Sequence, residues 1–171
     1  MDEWLASLEI KVRAEPLAPH NLQRTAQLLN KTNQMNLSTR RLTDAELMEW
    51  ASLPGHRLWA VNVSDKLGDA GLTGIVSVET RGDKAKIVDF VLSCRVMGRK
   101  VEDTMVHVAV EHARSLGATE IEAPLLPTAK NKPCLTFWQG SGFTPRGETS
   151  FTWDASGSYA RPPMIALEWV R

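Results

Sequence analysis

The chain has 171 residues, 43% hydrophobic and 23% charged, with 20 basic and 20 acidic side chains cancelling to zero formal charge. That size and balance predict one globular domain with a real core, exclude a disordered chain and offer no electrostatic footing for nucleic acid. No apolar run approaches the roughly 18–20 residues that cross a bilayer, and the start Met-Asp-Glu-Trp-Leu has no basic n-region, so no membrane segment or secretory signal is expected. Cys94 and Cys134 are read as reduced thiols of a cytoplasmic protein. With four scattered His and two distant Cys, no metal-ligand spacing appears, and no metal is expected.

In chain order, Trp4 and Leu5 read as a short helical turn packed on the domain. Residues 8–14 alternate apolar and polar with a period of two, as a half-buried strand does. Asn21 suits the cap of a helix over residues 22–31, and Thr43-Asp44-Ala45-Glu46 is the capping signal for a second helix ending near Leu53-Pro54-Gly55. Strands are expected over residues 57–63, 72–80 and 84–92. A long amphipathic helix follows over residues 101–116, stopped by Gly117, then a short strand over 119–123 and a helix over 132–141 with Pro133 in its first turn. Two last strands are expected over residues 143–153 and 164–170. The central strands are joined by tight turns and the long helix crosses over to a neighbouring strand, which predicts a mixed α/β sheet, mainly antiparallel, flanked by helices.

The stretch that carries chemistry is Ser93-Cys94-Arg95-Val96-Met97-Gly98-Arg99-Lys100, between a β-branched run (Ile87, Val88, Val91) and the long helix. Free backbone N–H groups and the positive end of a helix dipole converge at such a junction, which suits a diphosphate. The polar stretch of residues 31–41 has neither period, and it is rich in side-chain donors and acceptors.

The element order and this loop resemble the GNAT acyltransferases, whose Arg/Gln-x-x-Gly-x-Gly/Ala is matched by Arg95-x-x-Gly98-x-Lys100, with Lys100 departing from the small residue. Asn131 and Gly142-Phe143 match positions that the superfamily also tends to keep. A narrower resemblance spans nearly the whole chain: Leu28-Leu29-Asn30-Lys31-Thr32-Asn33-Gln34-Met35-Asn36-Leu37-Ser38-Thr39-Arg40, Val88 to Glu102, and Pro127-Thr128-Ala129-Lys130-Asn131 are similar to the C-terminal domain of FkbH-like proteins. That resemblance implies a glyceryl-loading role in polyketide and related biosynthesis, with an acyl carrier protein as partner. In those proteins a haloacid-dehalogenase-type phosphatase domain typically precedes this one. No Asp-x-Asp nucleophile motif occurs here, so two expectations stand open: a stand-alone relative, or one domain of a longer protein, with any phosphatase on another chain or on a part removed from this one.

Several residues become candidates. Backbone N–H groups of Val96, Met97, Gly98, Arg99 and Lys100, with the Arg95 side chain and Asn131, are placed at the diphosphate or phosphopantetheine of a coenzyme A or carrier thioester. Asp89, an acid in an otherwise apolar run, is a candidate general base; the alternative is a buried acid tied to a neighbouring donor. Cys94, beside Arg95 and close to a helix start, is a candidate nucleophile able to carry an acyl group as a thioester; the alternative is a small packing residue. Asn33, Gln34 and Asn36 are candidate contacts to a polyol-like acyl group, or else a loop satisfying its own backbone. The superfamily's Tyr proton donor, four residues before the Gly of Gly-Phe, corresponds to Trp138, which weighs against ordinary acetyl transfer. The expected function is thus acyl transfer on coenzyme A or carrier thioesters. An amine N-acetyltransferase and a non-catalytic carrier-docking domain are its rivals.

Overall fold

The computed structural model describes residues 2–171. It contains helix α1 (Asp2–Ser7), strand β1 (Lys11–Pro16), helices α2 (Pro19–Lys31) and α3 (Asp44–Ala51), and strands β2 (His56–Asp65), β3 (Gly68–Arg81) and β4 (Lys84–Leu92). Then come α4 (Val101–Ser115), β5 (Glu120–Pro124), α5 (Lys132–Gln139), β6 (Thr144–Pro145), β7 (Ser150–Asp154) and β8 (Ala166–Trp169). The expected order is present with two changes. The strand anticipated over residues 143–153 is two, β6 and β7, separated by a turn in which Gly147 takes a positive φ of 81°. The opening turn is a regular helix in which Leu5 is buried while Trp4 is 53% exposed, so only one of that pair packs on the domain.

Local chemistry explains the helix ends. Pro19 starts α2, and the side-chain oxygen of Asn21 accepts from the Ala18 N–H at 2.8 Å, so Asn21 caps from inside the first turn instead of preceding it. Thr43 and Glu46 form the reciprocal capping box at α3, with bonds of 3.1 and 2.9 Å. Gly117, at φ 87°, ends α4.

The eight strands form one sheet in the order β6-β7-β5-β4-β3-β2-β1-β8, antiparallel except for the parallel pairs β4–β5 and β1–β8. Helices α2 and α3 cover one face around Leu29, Leu47, Leu58, Ile75 and Val91. Helices α4 and α5 cover the other, around Trp59, Ile87, Phe90, Met105 and Trp138. Each such apolar side chain stabilises the fold by about 1.5–3 kcal/mol relative to exposure. Among the described residues no helix is long and apolar enough to cross a membrane.

The sheet is split between two of its central strands. Strands β4 and β5 pair only over residues 84–86 and 120–122. Beyond that point they part, at their carboxyl ends, beside the crossover helix α4. Open α/β sheets take ligands at such places.

Candidate active site

The register between β3 and β4 steps from Val76↔Phe90 to Val78↔Ile87, leaving Val88 and Asp89 together opposite the single residue Ser77. Such a bulge re-aims a side chain. Here it sends Asp89, fully buried, to the α2–α3 face. The Ser77 hydroxyl both accepts from the Asp89 N–H at 2.8 Å and donates to Oδ2 at 2.7 Å. Arg40 closes the cage with a two-bond fork, Nε to Oδ1 at 2.8 Å and Nη2 to Oδ2 at 2.6 Å, and its guanidinium lies 4.4 Å from the centre of the Trp50 ring. Ser38 adds a long bond to Oδ1 at 3.4 Å. A general base needs a lone pair facing its proton source, and both oxygens of Asp89 are engaged. The geometry is therefore that of the tied acid, an anchor for residues 38–40. Neither Arg40 nor Ser77 stood out as a partner in the sequence. The one visible signal was a serine inside Ile75-Val76-Ser77-Val78.

The polar stretch after α2 fills the gap between β4 and β5. Asn36 bridges to Val91 in antiparallel fashion, Leu37 N–H donates to Phe90 O at 3.1 Å, and Leu92 N–H donates to Met35 O at 3.1 Å. On the far side, Leu126 N–H donates to Leu37 O at 2.9 Å. Met35, Asn36 and Leu37 are all buried to within 1%. The Asn36 side chain is spent on its own segment, donating to Thr32 O at 3.0 Å and accepting from Thr39 N–H at 2.9 Å. Asn33 accepts from Arg41 at 2.8 Å, and Gln34 is exposed. Of the three amides expected to line an acyl site, Gln34 faces solvent and Asn36 is inaccessible. Asn131 is likewise committed: its amide donates to Asn36 O at 3.1 Å and Leu126 O at 2.8 Å and accepts from Thr128 N–H at 2.8 Å. With both amide hydrogens used, it secures a loop and leaves none for a ligand.

The loop before α4 is built as a tight turn. Residues Cys94–Val96 form a 3-10 turn capped by Ser93, and Cys94 is exposed. Gly98 and Lys100 both take left-handed backbone conformations, with φ of 79° and 69°. Arg95 reaches Ala70 O at 3.4 Å, Arg99 pairs with Asp65 at 3.3 Å, and Lys100 lies 3.9 Å from Asp103. The Val96 side chain is buried in the core and Met97 packs against it, so these two offer a ligand only their backbone. Glu102 did not enter the sequence-based site. It accepts the Gly98 N–H at 2.8 Å, while its other oxygen is buried with no partner. Burial raises its pKa, against the lowering effect of the backbone N–H groups it receives.

The two residues closest in role to a phenol donor, Trp138 and Tyr159, are not set to protonate a leaving thiolate. Trp138 is fully buried. Tyr159 donates to Ser141 O at 2.6 Å, and burial together with Asp103 pushes its phenol upward. It borders an open groove of about 450 Å³ that also touches Lys100, Asp103 and Gly142. Burial pushes the Cys134 thiol up to about 12, which makes it a packing residue. Among the described residues, no three His, Cys, Asp or Glu side chains converge as metal ligands do.

The overall arrangement of this mixed sheet and its helices is shared with solved structures. The GNAT domain of S. lividans PAT superposes with a TM-score of 0.64 at 15% identity, over 82% of this chain and 89% of that one. The chain has the GNAT fold. Spermidine N-acetyltransferase from Vibrio cholerae, solved with CoA and spermine, gives 0.63 at 16% identity over 86% and 96% of the two chains. A domain from Methanocaldococcus jannaschii gives 0.65 at 13% over 85% and 99%. No family model matches the sequence, and no curated protein does. These GNAT-fold likenesses lie at identities where shape alone is shared.

Proposed function

We propose that this chain is an acyltransferase that exchanges small acyl groups between thioesters, with Cys94 as the acyl-carrying residue. The observation behind this reading is the exposed Cys94 thiol on the turn that feeds α4, with Arg95 next to it in the chain. The GNAT fold and the FkbH-like motifs support it, and they make a glyceryl-type acyl group and an acyl carrier protein the substrate and partner of choice.

The chemistry balances without an acid. The Cys94 sulfur attacks the thioester carbonyl, a new carbon–sulfur bond forms, and the donor's carbon–sulfur bond breaks. The proton lost by Cys94 ends on the departing thiol. The second half repeats this with an incoming thiol as nucleophile and Cys94 as leaving group. Thioester exchange is close to thermoneutral, so the absence of a tuned Tyr costs little, and a committed Asp89 is no obstacle.

An exchange assay between an acyl-loaded and an unloaded holo carrier protein tests this. Cys94→Ala should abolish transfer while leaving carrier binding and melting temperature unchanged; undiminished transfer would remove Cys94 from the mechanism. A second reading, amine N-acetylation, has one observation in its favour. The V. cholerae neighbour is a spermidine N-acetyltransferase, and a groove of about 400 Å³ on the sheet face here presents Glu79, Glu120 and Glu122. Arg81, Lys84 and Lys86 line the same groove, which makes it a weak seat for a polyamine.

A further inference from the structure

Where β4 parts from β5, an extended amide arm could lie along β4, giving an N–H to Phe90 O and taking the N–H of Leu92. The chain's own residues do both. Leu37 N–H donates to Phe90 O and Leu92 N–H donates to Met35 O, each at 3.1 Å, while Leu37 O accepts from Leu126 N–H at 2.9 Å on the opposite bank. Those first two bonds flank Asn36 and Val91, which face each other as an antiparallel pair. The insert is also staked outside the gap. Arg41 donates to Leu29 O at 2.7 Å, and Asn30 and Leu42 exchange two bonds of 2.7 and 3.0 Å. Within the gap, Asn131 holds Asn36 O and Arg40 is forked to Asp89. An arm could enter only by driving the buried Met35 and Leu37 side chains into water and stripping Asn131 and Leu126 N–H of a partner.

Resting on the acyl-transfer reading above, we propose that the gap between β4 and β5 admits no thioester arm, from coenzyme A or from a carrier protein, because residues 35–37 are its fixed occupant. Donor and acceptor then reach Cys94 from solvent. That thiol is exposed and lies two residues beyond Leu92, so its access does not depend on the gap. The substrate class follows: thioesters recognised at their reacting end, with the remote part of the arm contributing no binding energy to the chemistry.

Two measurements test this. Loading of Cys94 is followed by intact-protein mass spectrometry with the same acyl group, acetyl and then glyceryl, carried on coenzyme A and on N-acetylcysteamine, which keeps only the last amide of the arm. The two carriers should load Cys94 at rates within about tenfold of each other, and a larger preference for coenzyme A would overturn the proposal. Hydrogen exchange is then read at the Leu37 and Leu126 amides of wild type, with excess acetyl-coenzyme A and with excess acyl-loaded holo carrier protein. Both amides should exchange as slowly as in the free protein. An arm in the gap would release them while itself covering Leu92 N–H, so faster exchange at Leu37 and Leu126 with either ligand would also overturn the proposal. No loading of Cys94 from any thioester, with both amides still protected, would instead sink the acyl-transfer reading and leave the closed gap standing.

Discussion

The side-chain amide of Asn131 donates to the backbone carbonyl of Asn36 at 3.1 Å, joining segments 95 residues apart in sequence. It also holds Leu126 and Thr128, so one buried side chain sets the inserted segment, the loop after β5 and the start of α5 relative to one another. Asn131→Ala should destabilise the protein by about 2–4 kcal/mol, because two carbonyls and one N–H lose their partner together. Urea unfolding measures the loss. Hydrogen exchange should place it locally, with the Leu37 and Leu126 amides losing protection first.

Arg40 and Asp89 form a charge pair whose acid is fully buried and whose base is 23% exposed at the side chain. Removing Arg40 alone strands a buried carboxylate, so Arg40→Ala should cost about 3–5 kcal/mol. The double variant Arg40→Met with Asp89→Leu should recover most of it. A double variant as unstable as the single one would show that the pair is not what the Arg40 loss disrupts.

Lys100 sits at φ 69° and ψ 8°, a conformation that costs a non-glycine residue about 1–2 kcal/mol. Its contact with Asp103 is long and partly exposed. Lys100→Gly should therefore raise stability by about 0.5–1 kcal/mol, after subtracting the extra freedom glycine gains when unfolded. A lower melting temperature would mean that the side chain holds the loop in a way its contacts do not reveal.

His112 packs edge-on against Trp59 at 4.8 Å between ring centres, and its pKa falls to about 4 through burial and then through Arg57 and Arg171. The folded state keeps this ring neutral while the unfolded chain protonates it near 6.5. Between those values the unfolded state binds more protons, so stability drops as pH falls from about 6.5 to about 4 and the effect levels off below. The contribution is on the order of 2 kcal/mol after allowance for partial exposure. Replacing His112 with Leu should flatten the melting temperature across that window, and an unchanged acid slope would assign it to other groups.

What could be read from residues alone follows the range of the interactions involved. The turn before α4, the helix itself and the capping box at Thr43 are local, and their residue types announce them. Asp89 was visible as a buried acid, but its meaning depends on Arg40, 49 residues away and brought near only when residues 38–40 fold back over the sheet. The amides of Asn33, Gln34 and Asn36 looked like ligand contacts because nothing local shows that residues 35–37 enter the sheet beside Val91. Glu102 was legible in principle, as an acid in the first turn of a helix four residues after a glycine. Its separation from solvent was not, since it depends on the tertiary packing around the loop.

The most direct test of acyl passage through Cys94 is intact-protein mass spectrometry after incubation with an acyl-loaded holo carrier protein. The mechanism predicts one added acyl mass, mapped to Cys94 by peptide analysis and discharged when a fresh carrier thiol is supplied. Acyl transfer at full rate by the Cys94→Ala protein, with no acyl mass ever captured on wild type, would contradict it.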